Sequence, residues 1–338
     1  MKRADFIPEA IDPGFTKRGV AVRPSVGKAA RGPKRDAADG STKKRKPKYP
    51  PAHPEALVAF MMKDWKARAL VPEPIDHAEA FSARRKRLSR AFPGETLVIP
   101  TGHEKVRAND TMYRFRPGSD FFYLTGNLEP DCVLVLEPKK TGGHRHVLFV
   151  EPNPGRGDKT FFTDHHKGEL WVGPRLGIKE SKVRFGVDEC RGLPDLGDYL
   201  GALAKKKSAK VRVLRGFSDK VDHALREKKK PDAELAEKCS ELRLVKDALE
   251  IAELENVVRS TKRAFEDVIL SLKSAKSERE VEGVFNLRAR TEGNDVGYGT
   301  IAACGANACI LHWTRNDARL EHKKMLLLDA GVEGHALY

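Results

Sequence analysis

Between Thr96 and Leu214 the chain carries short apolar runs bounded by turn residues. They are Thr96–Ile99, Cys132–Leu136, Val147–Val150, Val183–Val187 and Val211–Leu214. Such runs read as strands, and the Pro-Lys-Lys-Thr-Gly-Gly stretch at 138–143 reads as the turn of a hairpin. Helical spacing recurs elsewhere. Leu57, Val58, Met61, Met62 and Trp65 form one stripe. Phe81, Leu88 and Phe92 form a second, with Asp76 as its expected cap and Arg84–Arg87 on its outer side. Leu193, Leu196, Tyr199, Leu200 and Leu203 form a third. A long helix is expected over Asp247–Lys273, with Ile251, Leu254, Val258, Phe265, Val268, Ile269 and Leu272 as its apolar face. Ser277-Glu278-Arg279-Glu280 reads as a capping box for a helix ending near Gly293. Strand-like segments follow at Tyr298–Ala303, Cys309–Thr314 and Met325–Leu328. The polar stretch 226–234 reads as a linker or a solvated helix end.

Charge changes the picture at one end. The net charge is +15, and residues 1–50 hold 14 Lys and Arg against 5 Asp and Glu, which leaves +6 for the rest. That tail has too few aromatic and branched apolar residues to offset ordering entropy, so it reads as disordered. It is either a solvated extension or an arm that contacts a polyanion such as nucleic acid. The longest apolar run, Ala56–Met62, is too short to span a bilayer, and no apolar leader opens the chain. The five cysteines are scattered and suggest reduced thiols in a cytoplasm.

Three stretches carry candidate chemistry. Asp110–Pro130 is dense in aromatic, Arg and Gly residues without a helical or strand period, and reads as a structured loop and strand. Residues 298–314 place His312 in an apolar, strand-like run, either as a satisfied core histidine or as a catalytic one. In Leu328-Asp329-Ala330-Gly331 an acidic residue ends a buried strand before a turn. It is either a metal or catalytic carboxylate or a turn cap. Gly297 and Gly299 precede a strand pattern and make no dinucleotide fingerprint, and Cys304 and Cys309 lack zinc partners. His144, His146, His165 and His166 read as surface residues.

Taken together, these stretches resemble aminopeptidase P, the Xaa-Pro aminopeptidase branch of the creatinase or pita-bread metallopeptidases. The resemblance rests on Tyr113–Gly126 with Glu129-Pro130, on Glu169–Gly177, on Glu241–Lys246, on Ile310–Thr314 and on Leu328–Gly331, in family order. It implies an α/β N-terminal domain followed by the first part of an α+β pita-bread catalytic domain, behind the disordered basic tail. The expected partition is a tail at 1–53, an α/β domain with leading helices at 54–225, a linker at 226–246 and an incomplete metallopeptidase domain at 247–338. The implied activity is release of the N-terminal residue from peptides with proline second, using two metal ions, usually Mn²⁺. A homo-oligomer is expected. Asp329 aligns with the first metal-binding aspartate and His312 with a histidine that assists substrate or transition-state binding. Tyr298 aligns with a tyrosine that orients a ligand carboxylate. Trp171 aligns with a tryptophan that can approach a neighbouring subunit's active site. The family's remaining ligands fall beyond Tyr338, so the chain as given is expected to bind Mn²⁺ weakly and to lack peptidase activity. The other reading is a non-catalytic, peptidase-like binding protein with the tail as its contact arm.

Overall fold

The computed structural model describes residues 53–63 and 71–335. The basic tail and Trp65 lie outside the described residues. In chain order the first elements are α1 (Glu55–Met62), α2 (Ala78–Ala91), β1 (Thr96–Pro100), β2 (Val106–Ala108), β3 (Thr111–Met112), α3 (Ser119–Thr125), β4 (Val133–Pro138) and β5 (His144–Val150). There follow α4 (Thr160–Thr163), α5 (Glu169–Val172), α6 (Ile178–Arg184), β6 (Glu189–Gly192), α7 (Leu196–Lys205), β7 (Val211–Val213) and α8 (Asp219–Ala224). The last are α9 (Lys229–Leu244), α10 (Ala248–Ser271), α11 (Glu278–Glu292), β8 (Asp295–Val296), β9 (Ile301–Cys304), β10 (Leu326–Asp329) and β11 (Val332–Glu333).

Five strands form a mixed sheet in the order β6-β5-β4-β1-β7. β4 and β5 are the expected hairpin, with Val135 opposite Val147. The outer pairs β5/β6 and β1/β7 are parallel. Side chains alternate between faces. Leu97, Ile99, Leu134, Leu136, Leu148 and Val150 meet Leu88 and Phe92 near α2, Phe121 and Leu124 of α3, and Leu235 and Cys239 of α9. Val98, Val133, Val135, Val147, Phe149 and Val213 meet Leu196 and Leu200 of α7 and Val221 of α8. Helices cover both faces, which is why these strands read as continuous apolar runs. Each fully buried Leu or Phe contributes about 1.5–3 kcal/mol. Gly126 ends α3 at φ +69°, and a Cβ there would stand 2.7 Å from the Phe81 ring. Only glycine fits both the turn and the contact.

Several expectations change. Residues 183–187 are not a strand: they end α6 and its turn, and β6 lies at Glu189–Gly192. Asp110–Pro130 contains the buried helix α3, because Phe121, Phe122 and Leu124 pack inward across two turns. The expected linker is largely α9, which Leu235 and Cys239 bind into the sheet core. His77, not Asp76, occupies the N-cap of α2. Arg84 and Arg85, expected outside, are fully buried. The Arg85 guanidinium donates to the carbonyls of Leu124 at 2.8 Å and Gly186 at 2.7 Å. Backbone carbonyls at helix and turn ends thus satisfy a charge that the sequence pattern assigns to water.

His144 and His146 are also buried, on β5. His144 is held by Ser89 Oγ and by the Glu95 carbonyl, both at 2.6 Å. Burial, reinforced by Arg85, pushes the His146 pKa from 6.5 down to about 4. The unfolded chain therefore takes up a proton near pH 6.5 that the folded chain refuses until about pH 4. Stability from this group is complete above pH 6.5 and falls as the pH drops toward 4, by about 3 kcal/mol. Urea unfolding of the wild type and of His146→Gln at pH 7 and pH 4 checks this. The wild type should lose more stability by about that amount, and equal losses would refute it.

The C-terminal segment packs α10 and α11 against short strand pairs, β9/β10 and β8/β11, both antiparallel. Asp247 caps α10 in a reciprocal capping box with Glu250. Ser277 caps α11 by accepting the Glu280 N–H, while the Glu280 carboxylate accepts from the Lys276 N–H and the Ser277 hydroxyl rather than from the Ser277 N–H. The buried face of α10 is Ser260, Ala264 and Val268, against Val281, Phe285 and Ala289 of α11. Ile251, Val258 and Ile269, expected on the apolar face, are exposed. Phe265 and Leu272 of the expected face pack, partly buried, against the same cluster. Among the described residues no helix is long and apolar enough to cross a membrane.

Candidate functional site

Asp329 ends β10, opposite Ile301 of β9. Gly297 donates its N–H to the Gly331 carbonyl at 2.7 Å, which brings the residues after β8 against those after β10. Tyr298 thereby lies beside Asp329, and its hydroxyl donates to Asp329 Oδ1 at 2.5 Å. A Cβ on Gly331 would stand 3.3 Å from the Tyr298 ring, so glycine keeps this approach open. The carboxylate beside it, with some burial, pushes the Tyr298 phenol up to about 12. Tyr298 remains a hydrogen-bond donor across the neutral range. Both residues are exposed.

His312 is neither in a strand nor buried. Residues 305–309 form a short 3-10 turn, and His312 stands exposed in the turn beyond it. Gly305 is left-handed at φ +58°, and the backbone of 310–314 pairs with no strand among the described residues. Asn316, buried at φ +45°, holds the far end of this loop to β9, accepting from the Ala302 N–H at 2.9 Å and donating to the Thr300 carbonyl at 2.8 Å. The structure thus joins Tyr298 to Asp329 and gives His312 a separate loop.

Trp171 belongs to α5 in the α/β region and is half-exposed. Its indole N–H donates to the Phe162 carbonyl at 2.8 Å, and His165 stacks on it at 3.9 Å. His165, read as a surface residue, is half-buried by that stack.

Sequence reasoning missed two groups near Asp329. Arg116 pairs with the buried Glu333 of β11 at 2.5 Å, and Arg114 pairs with Asp295 of β8 at 2.9 Å. Both arginines come from the aromatic and Arg-rich stretch before α3, which therefore grips the strand pair next to Tyr298 and Asp329. Glu278 was read only as part of a helix cap, yet it is completely buried. Its burial follows from the loop folded over it, which no local pattern encodes.

A metal requires more than this. Among the described residues no three His, Cys, Asp or Glu side chains converge. A divalent ion takes several oxygen or nitrogen ligands in competition with water. Asp329 offers one carboxylate with one oxygen already bonded, so these residues do not by themselves make a metal site.

Comparison with known proteins adds what geometry leaves open. Residues 81–213 match the family model "Aminopeptidase P, N-terminal domain", and residues 252–338 match "Metallopeptidase family M24". Xaa-Pro aminopeptidase 1 of Streptomyces coelicolor is 45% identical over 301 residues, covering 88% of this chain and 60% of that protein. Xaa-Pro aminopeptidase 2 of the same organism is 45% identical over 267 residues, covering 78% and 56%. Among solved structures, the low-pH form of Escherichia coli aminopeptidase P superposes with a TM-score of 0.62 at 26% identity, covering 76% of this chain and 60% of that one. Proline aminopeptidase P II from Yersinia pestis gives 0.63 at 26%, with the same coverage. An α/β domain leading into an M24 metallopeptidase fold is the class defined by these matches. The chain belongs to the aminopeptidase P-like proteins, and it spans about 60% of the length of the Streptomyces Xaa-Pro aminopeptidase 1 that it matches.

Proposed function

We propose that the protein is a metal-dependent aminopeptidase that releases the N-terminal residue from peptides with proline in second position. The single observation that carries this reading is the 45% identity to Xaa-Pro aminopeptidases over 88% of the chain. The Tyr298–Asp329 pair supports it. In this reading Asp329 supplies one carboxylate to the metal site of the whole protein, and Tyr298 holds that carboxylate in one orientation. His312 meets the substrate from its loop. Metal ions, when bound, would supply Lewis-acid chemistry at the scissile carbonyl. We assign manganese as the metal by family resemblance. Trp171 stands half-exposed, which suits contact with a second copy in a homo-oligomer. The free cysteines suit a cytoplasmic protein. The charge of residues 1–50 suits contact with a polyanion, but as an accessory to the enzyme rather than as the function of a non-catalytic binder.

The test is hydrolysis of an Xaa-Pro peptide by the protein expressed from its full reading frame. Release of the N-terminal residue that requires a divalent metal and is lost when alanine replaces proline in the peptide is expected. No release, or release indifferent to the second residue, would overturn the reading.

A further inference from the structure

The loop that presents His312 is bound to one buried carboxylate. Glu278, the first residue of α11, is 0% exposed. Its Oε1 accepts the Cys304 N–H at 2.7 Å and the Asn307 side-chain amide at 2.9 Å. Its Oε2 accepts the Trp313 indole N–H at 2.8 Å and the Ala318 N–H at 3.0 Å. The Glu278 N–H in turn donates to the Ala318 carbonyl at 3.0 Å. With two bonds on each oxygen, the carboxylate's acceptor capacity is filled.

The four donors fall at both ends of the loop and at two points inside it, one of them the residue after His312. A glutamate in the first turn of a helix also favours the helix dipole, but an exposed side chain serves that purpose equally well. Burying an ionised carboxylate is costly unless hydrogen bonds replace its water. Here burial pushes the carboxyl up, and the bonds from Asn307, Cys304, Trp313 and Ala318 outweigh it, so the group sits below the usual carboxylate range. The loop and Glu278 therefore need each other: without the carboxylate the loop has four unanswered donors, and without the loop the carboxylate has no solvation.

We propose that Glu278 is a positioning residue for His312, fixing the loop through Cys304, Asn307, Trp313 and Ala318 and so setting where the imidazole meets the substrate. This rests on the aminopeptidase reading for the role of His312, but not for the placement itself. Glu278→Gln keeps the size of the side chain and turns one acceptor oxygen into a donor that faces two donors. Trp313→Phe removes a single donor and leaves Glu278 the other three, which makes it the milder variant.

Two measurements test the proposal. The first follows the Trp313 indole N–H and the His312 Cε1–H by nuclear magnetic resonance, assigned with Trp313→Phe and His312→Gln. Both signals should move in Glu278→Gln, while the Trp171 indole signal stays. In Trp313→Phe the His312 signal should move less. The second measures kcat/KM on an Xaa-Pro peptide with the protein from its full reading frame. Glu278→Gln should lose about 100-fold, as misplacement of a reacting group by an ångström does. Added to His312→Gln, it should cost little more, because both changes act through one imidazole. An unmoved His312 signal, or fully additive losses, would overturn the proposal. If the wild type releases nothing from Xaa-Pro peptides, the enzymatic reading fails, and the resonances alone still decide whether Glu278 places His312.

Discussion

Replacing Arg84 by Met should remove about 3–5 kcal/mol of stability, the usual cost of taking one partner from a buried ion pair. Arg84 is 1% exposed, on α2. Its guanidinium bonds both oxygens of Asp247, at 2.9 and 3.0 Å, and lies 3.8 Å from the fully buried Glu250. It also covers the Tyr123 ring, 4.4 Å from its centroid. Asp247 and Glu250 are the two members of the α10 capping box. One arginine of the α/β region therefore neutralises the start of the helix that leads into the metallopeptidase segment. Met fills similar space but leaves two carboxylates without this cation. Urea unfolding of the two proteins reads the difference. Arg315→Ala serves as the contrast, because its pair with Asp317 is largely exposed and should change stability by less than about 1 kcal/mol. Equal effects of the two substitutions would show that burial of Arg84 contributes nothing.

Asp329→Ala should lower kcat/KM on an Xaa-Pro peptide roughly a thousandfold, about 4 kcal/mol of transition-state stabilisation. Tyr298→Phe should cost less, about 10–100-fold, because it leaves the carboxylate in place and removes only the hydroxyl that orients it. That hydroxyl is the only part of the tyrosine bonded to Asp329, so the two substitutions together should fall no further than Asp329→Ala alone. The assay uses the protein from its full reading frame, with metal content measured in parallel. Activity that survives Asp329→Ala would remove this residue from the site, whatever the peptide specificity proves to be.

The legible parts of the molecule were those where chemistry and period agree. The strands β1 and β4 and the second half of β5 were visible because both of their faces are covered, so nearly every position is apolar, and β7 was visible from Val211, Val213 and Leu214. α10 was visible from its length and period. His312 and Asp329 stood out by local pattern, each with a structural alternative that family resemblance then resolved, whereas Tyr298 and Trp171 were singled out through resemblance alone. The failures share one cause. Arg84, Arg85, His144 and Glu278 are polar side chains that burial alone would forbid. Each is accepted because a distant segment supplies its partner: Asp247 for Arg84, Gly186 for Arg85, Glu95 for His144, Trp313 for Glu278. Sequence period registers what a residue avoids, and it does not register a partner far along the chain. The loop at 309–314 failed in the opposite sense. Its apolar residues suggested a strand, but Leu311 is 87% exposed.

By itself the sequence determined four of the five strands of the main sheet, the long helix α10, the α/β character of the first region and the family. Those depend on local period and on short motifs, which a linear reading captures. Only the tertiary structure decided that Tyr298 bonds Asp329, that Arg114 and Arg116 grip the strands beside them, and that Glu278 gathers the His312 loop. Those are agreements between donors and acceptors far apart in the chain, and they exist only once water has been excluded from between them.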